Sequence, residues 1–448
     1  MRGDRILIRI LSGVAIIGLA GCSAASGSPS APPAGSAASP APAASSSLTD
    51  GRDAWLVVGR RGQPGLEVIL ASTAERDYEL PNGVPDETWG HVVSTESDGT
   101  HTTIRYLIVQ PGFDGTQTTI DGAWRLPTIG LDPTPVGVSA GAENWLNSAT
   151  VVLVEDLPGG APRASTRFAV LRHSPVGDPV SKVIELAGSF EYDAISPDGS
   201  ILYVVEHLAG PPEGRYQVRA VDVGTGLMRD AVIADKRNLE EAMAGWPIAQ
   251  VRRPGGVVFT LYRGAEHPFI HALNTTEAWA VCIDLPASSN ADPKAALDWG
   301  LTAGPTGRDV FAVNATLGLA VDVDTTDLSI RREATIQPIA SSSIVLAKFG
   351  HGDVGPSGRR VVVAADGKTV YAAGSSGLLA IDAAKLTDAR RILDGVSVGG
   401  LGLTPDGKTL FALDAGGGRI LALDATTGNV LARVPGDDFD RLLAVVPW

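Results

Sequence analysis

Two imidazoles stand four residues apart in His267-Pro268-Phe269-Ile270-His271. On a helix that spacing would place both on one face, ready to share a metal ion. Pro268 and the strand-forming residues around it argue against a helix, and on a strand the two would lie ~13 Å apart, too far for one ion. No metal and no cofactor are therefore assigned. A second polar group, His351-Gly352-Asp353 with Arg359 and Arg360, sits in segment 348–360. It offers charges that can touch a metal or an acidic ligand; the alternative is a solvated surface loop. The two thiols are Cys22 and Cys282. Cys282 lies in the apolar run Trp279-Ala280-Val281-Cys282-Ile283, read as a third strand with the cysteine as a small buried hydrophobe. No HExxH is present, and no catalytic residue is assigned.

Cys22 has a more specific context. Arg2, Arg5 and Arg9 form a basic start, and a short apolar stretch from Ile10 to Gly21 follows, too short to span a bilayer, which takes ~20 residues. It ends in Leu19-Ala20-Gly21-Cys22, which resembles the lipobox of bacterial lipoproteins. The resemblance implies that the Cys22 thiol carries a diacylglycerol, with palmitate-type acyl chains, and becomes the mature N-terminus. Residues 1–21 are then a signal peptide and 22–50 a tether, almost purely Ser, Ala, Pro and Gly over 23–47. Such a segment buries no apolar surface; it reaches roughly 30 Å if coiled and about 85 Å if extended. The implied location is the outer face of the bacterial cell membrane, or the outer membrane of a double-membraned cell. The other reading is an ordinary secretory signal.

The 448 residues carry 50 acidic and 36 basic side chains, a net charge of -14. Loss of three Arg and one Asp with the signal takes the mature chain to about -16, which argues against a nucleic-acid partner and against direct adhesion to an acidic surface. Residues 51–448 have the composition of one folded domain.

That domain repeats. Segment 398–436 reads as four short strands: Gly400 to Thr404, Thr409 to Asp414, Ile420 to Asp424 and Val430 to Val434, separated by Pro405-Asp406-Gly407-Lys408, Gly416-Gly417-Gly418 and Thr426-Thr427-Gly428. Asp-Gly turns at 98, 198, 366 and 406 fit the same place in the unit, and Asp222, Asp322, Asp382 and Asp424 fit the end of its third strand. A carboxylate there can accept hydrogen bonds from the next turn, a structural duty. First strands are expected near His91, Val138, Ala194, Pro247, Leu301, Arg360 and Gly400. Four-stranded units of ~40–50 residues are propeller blades. Leu442 to Trp448 reads as a first strand, and Ala54 to Pro81 as a second, third and fourth. An all-β propeller is expected, with eight blades favoured over seven, closed by pairing the C-terminal strand with the N-terminal ones.

SPDGSILYVV, from Ser196, and TPDGKTLFALDAGGGRILALDATTGNVLARV, from Thr404, resemble the YVTN-type β-propeller repeat of secreted and surface bacterial proteins. The resemblance implies the fold and no single activity. Quinoprotein propellers carry Asp-Ala-x-Thr-Gly-x-x-x-Trp; here the Trp position after Asp424 is Ala432 and after Asp222 is Asp230, which removes the docking aromatic. Calcium-dependent propeller lactonases converge Glu, Asn and Asp in the central funnel, and no such set can be assigned. Trp89, Trp246 and Trp299 precede expected first strands, where they would ring one mouth of the channel and stack on a sugar or peptide. The alternative is packing between blades. The leading expectation is a monomeric binding or scaffold module for an envelope protein, peptide or glycan, not an enzyme. A lactonase-like hydrolase with its site in the channel is the other.

Overall fold

The computed structural model describes Leu48 and residues 53–447 except 64, 82, 86–90, 112–116, 128–132, 140–149, 156–163, 173–179, 209–213, 238–241, 254–255, 265–266, 287–297, 340–357 and 388. Cys22 with Leu19, Ala20 and Gly21, as well as Trp89, His351 and Asp353, lie outside the described residues.

The described strands fall into eight antiparallel groups of four. The first joins β1 (Ala54–Arg60), β2 (Leu66–Leu70) and β3 (Arg76–Leu80) to the C-terminal strand. The second holds β4 (Val84–Pro85), β5 (His91–Ser97), β6 (His101–Pro111) and β7 (Gln117–Pro127). The third holds β8 (Pro133–Ser139), β9 (Thr150–Glu155), β10 (Ser165–Arg172) and β11 (Val180–Ala187). The fourth holds β12 (Phe190–Ile195), β13 (Ile201–His207), β14 (Arg215–Asp222) and β15 (Leu227–Val232). The fifth holds β16 (Met243–Arg253), β17 (Val257–Gly264), β18 (Phe269–Asn274) and β19 (Trp279–Asp284). The sixth holds β20 (Trp299–Ala303), β21 (Asp309–Asn314), β22 (Leu319–Asp324) and β23 (Ser329–Thr335). The seventh holds β24 (Val361–Val363), β25 (Thr369–Gly374), β26 (Gly377–Asp382) and β27 (Ala389–Asp394). The eighth holds β28 (Val398–Leu403), β29 (Thr409–Asp414), β30 (Arg419–Asp424) and β31 (Val430–Arg433), and β32 (Phe439–Pro447) completes the first group beside β1.

These are propeller blades. The first and the fourth to eighth sheets are covered on both faces by their neighbours, so a middle strand reads as an almost continuous apolar run; β29, TLFALD, is buried at every position. Alternation then assigns side chains to opposite neighbours. In β18, Ile270 and Ala272 pack toward the sixth blade, whereas Phe269 and Leu273 pack toward the fourth. The outermost strands β15, β23, β27 and β31 are mostly half-buried or exposed, and the innermost β20 and β28 are largely buried. Between the fourth and fifth blades the contact is more than side-chain packing: β16 also pairs with β14, through Arg215↔Ala244 and Tyr216↔Met243, which makes the two sheets one.

The repeated turns explain the repeated sequence. Gly407 adopts φ +70°, where a side chain would be strained. Thr404 Oγ1 accepts the Thr409 N–H at 3.0 Å, and Asp406 Oδ1 accepts the Lys408 N–H at 3.0 Å. Burial alone would raise the Asp406 pKa, but the hydrogen bonds from Lys408 and Thr404 outweigh it and the carboxyl sits below its usual range. Ser196 fills the role of Thr404 in the fourth blade, accepting from Ser200 and Ile201. Replacing Thr404 by Val keeps the shape and removes the acceptor for a buried N–H. Denaturant unfolding should register a loss of about 1–2 kcal/mol; an unchanged midpoint would mean that this hydroxyl does not hold the turn.

Several sequence expectations need correction. His91 lies in the second strand of its blade, because the first is the two-residue β4. The Asp98 turn accordingly joins second and third strands, not first and second. First strands β8, β12 and β16 begin four or five residues before Val138, Ala194 and Pro247. The run containing Cys282 is a fourth strand, not a third, and Cys282 is half-buried. The strand-end carboxylate of the sixth blade is Asp324, which pairs across from Asp309 as Asp424 does from Thr409. Asp322 stands two residues earlier and is buried, with Arg332 donating to it. At the true positions the expected bonds are present: Asp424 accepts from the Thr427 N–H, Asp382 from Ala384 and Lys385, and Asp324 from Thr326.

Candidate functional site

The end of the 348–360 segment lies against the innermost strands of neighbouring blades. Gly358 forms a parallel bridge to Leu442 in β32, on the edge that β1 leaves free. It takes φ +123°, and a Cβ there would run into the Leu442 carbonyl oxygen. One residue on, the Arg359 carbonyl accepts the Leu401 N–H of β28 at 2.8 Å, and the Arg360 carbonyl accepts the Ala373 N–H of β25 at 2.8 Å. The insertion therefore returns to its blade across the innermost strands of the next two. Only glycine allows that approach.

The Arg360 side chain turns back toward the sixth blade. Its guanidinium faces Asp298 Oδ1 at 3.3 Å, and the Thr316 hydroxyl donates to Asp298 Oδ2 at 2.5 Å. Asp298 is 1% exposed. This ties three chain segments at the inner rim, which is a structural duty for Arg360. Arg359 is partly buried beside it. The sequence grouped the two arginines, and the structure keeps them in one place. Their partner Asp298 carried no signal, since it lies 62 residues upstream in an unrelated stretch.

The aromatic-ring expectation fails for Trp299. That side chain is fully buried in the core between the fifth and sixth blades, with Leu301 and Leu319. It is the first residue of β20, and the pleat turns it into the blade interface instead of the channel mouth. Trp246 differs: it is 49% exposed in β16, one face of its indole over Gly214. Trp279, not singled out by sequence, stacks under the Lys236 ammonium at 4.1 Å.

A groove of about 520 Å³ opens between the seventh and eighth blades on the face that carries the first-to-second-strand turns. Asp366, Lys368, Tyr371, Asp382, Arg390 and Asp406 line it. Each is held by the turns themselves. Arg390 donates to the Thr426 and Thr427 carbonyls at 2.7 and 2.8 Å, Tyr371 to the Ala425 carbonyl at 2.9 Å, and Asp366 accepts from Lys368 N–H. The volume falls in the range of small-ligand sites, and the lining alternates in sign. Asp366, Asp382 and Asp406 belong to the turn motif and were read as structural, whereas Tyr371 lies in β25 and Arg390 in β27, and nothing in the sequence shows that two adjacent units leave a gap.

His267 and His271 do not meet. His271 is in the middle of β18, buried, and His267 precedes the strand and faces Asp284 at 3.5 Å. Among the described residues no three of His, Cys, Asp and Glu converge on one point.

No protein-family model matches the chain, and no curated protein is similar to it in sequence. Solved structures are similar. AztD from Citrobacter koseri, in its apo form, superposes with a TM-score of 0.53 over 88% of this chain and 98% of its own. The chain shares a fold with AztD. The identity to AztD is 15%, and a second AztD structure gives the same TM-score at 14%. PpgL, a periplasmic gluconolactonase of Pseudomonas aeruginosa, is similar at 18% identity, covering 80% of this chain and 99% of its own with a TM-score of 0.44. At such identities the likeness to AztD concerns the path of the chain, and the side chains of the groove and inner rim stand on their own geometry.

Proposed function

We propose that this chain is an exported, lipid-anchored propeller of the YVTN-repeat kind that serves as a binding module in the cell envelope. The anchor rests on the lipobox and the Ser/Ala/Pro tether described above. The observation that carries the binding role is the groove between the seventh and eighth blades. It is open, has the size of a ligand site, and presents fixed charges of both signs on turns that need no rearrangement. Lys368 is an exposed cation there, 81% exposed at its side chain. An extended polar segment of an envelope protein or glycan would meet Lys368, Asp366 and Asp406 in succession.

Crosslinking in intact cells, followed by affinity isolation, tests this reading. The Lys368→Glu/Arg390→Glu variant is expected to lose the main partner, and Trp246→Ala to keep it. A partner set identical in all forms would overturn the groove as the contact site. Lactone hydrolysis by the purified chain would overturn the binding-only role. The anchor has its own check: Cys22→Ser should shift the protein from the membrane fraction to the soluble one, and retention in the membrane fraction would refute lipidation.

A further inference from the structure

One row of the fifth blade carries chemistry that the turns and grooves do not use. In the β18–β19 pairing His271 lies directly across from Cys282. Cross-strand partners project to the same face, here the one toward the fourth blade, since Tyr262, Phe269 and Ala280 of the alternating set all join that core. Met243, at the start of β16, reaches the same place through its pairing with Tyr216. Its Sδ stands 3.6 Å from Cys282 Sγ, and the Tyr216 hydroxyl donates to it at 3.7 Å.

His271 is the anomaly in this core. It is 1% exposed, and neither ring nitrogen has a hydrogen-bond partner. Buried polar atoms in folded proteins nearly always have one, so an orphaned imidazole asks for a missing neighbour. Desolvation lowers its pKa to about 4, against a smaller opposing pull from Asp235, so the ring is neutral and keeps a lone pair at neutral pH. An imidazole, a thiol and a thioether are a soft donor set, suited to Cu(I) and unsuited to Mg²⁺ or Ca²⁺. The sulfur separation fits as well. Two sulfurs bound to one tetrahedral ion at about 2.3 Å would lie about 3.8 Å apart. Cys282 is only half-buried, which leaves the ion a way in from the outer wall.

We propose that His271, Cys282 and Met243 form a seat for one soft monovalent cation, Cu(I), at the interface of the fourth and fifth blades. On binding, the Cys282 S–H bond breaks, its proton passes to solvent and an S–Cu bond forms. Met243 and His271 donate lone pairs, and the ion keeps its oxidation state.

The test uses the full chain carrying Cys22→Ser, which leaves Cys282 as its one thiol. Cu(I) is supplied without oxygen as its coloured bicinchoninate complex. The chain should withdraw one ion per molecule; Cys282→Ser should abolish withdrawal, and the volume-conserving Met243→Leu should weaken it by about tenfold or more. X-ray absorption at the copper edge of the loaded chain should show two sulfurs and one nitrogen, a readout that requires no variant to fold. No withdrawal of copper, withdrawal equal in both variants, or an oxygen-rich copper shell would each overturn the proposal. In the first case the orphaned imidazole holds an internal water instead.

Discussion

A chain cut after Asp438 should show no cooperative unfolding transition at 25 °C. The missing piece is β32, whose pairing with β1 runs from Ala54↔Pro447 to Arg60↔Phe439. It contributes Phe439 and Leu442, both fully buried, and Leu443, 6% exposed. Burial of three such side chains is worth about 5–9 kcal/mol. A domain's whole stability is about 5–15 kcal/mol, so little would remain. The cut also strips Leu442 from the Gly358 bridge and leaves the β1 edge open, a template for pairing with another chain. Size-exclusion chromatography should find oligomers, and near-ultraviolet circular dichroism should lose its fixed tertiary signal. A peptide of residues 437–448 added in trans should restore part of it by occupying the vacant strand position. A truncated monomer melting like the full chain would show that the first sheet does not depend on β32.

The second large effect is acid sensitivity at His271. The folded pKa is about 4 and the ordinary value 6.5, with burial the main cause. Between those two values the unfolded chain binds a proton that the folded chain refuses. Unfolding therefore takes up protons there, and stability falls as the pH drops from 6.5 toward 4. The full loss, reached below pH 4, is about 3 kcal/mol. Below pH 6.5 the denaturant midpoint of the full chain should decline steadily. His271→Phe removes the titrating group and suits the aromatic surroundings of Tyr262 and Phe269. It should flatten that limb while leaving the midpoint at pH 8 within about 1 kcal/mol. Equal slopes in both proteins would assign the acid sensitivity elsewhere.

The blades near the C-terminus were legible because their turns are chemically explicit. Pro405-Asp406-Gly407 sets a positive φ, two side-chain acceptors and a strand boundary at once, so β29 was read with its observed ends. Where turn chemistry is ambiguous, the reading slipped. An Asp-Gly pair marks a hairpin without saying which one, and so Asp98 was placed one strand too early. Asp322-Val323-Asp324 offers two carboxylates on one face, and spacing could not choose the one that caps the turn. Trp299 was misjudged because the position of an aromatic before a strand does not fix the face to which it points. The groove and the row containing His271 depend on which blades are neighbours. That row is half-readable from its hairpin, since His271 and Cys282 are equidistant from the turn between Asn274 and Trp279, but Met243 arrives from a strand outside it.

The backbone pairing of β14 with β16 has a mechanical consequence. Among the described strands, this is where a ladder carries the sheet of one blade into that of the next. Apolar side chains can slide by fractions of an ångström under load, but a ladder of N–H···O bonds resists until it breaks. A pull across the sheets should thus be taken up at the other blade interfaces, and the spacing between the fourth and fifth blades should hardly change. His271, Cys282 and Met243 are bracketed by that splint, and their separations would persist whatever the other blades do under load.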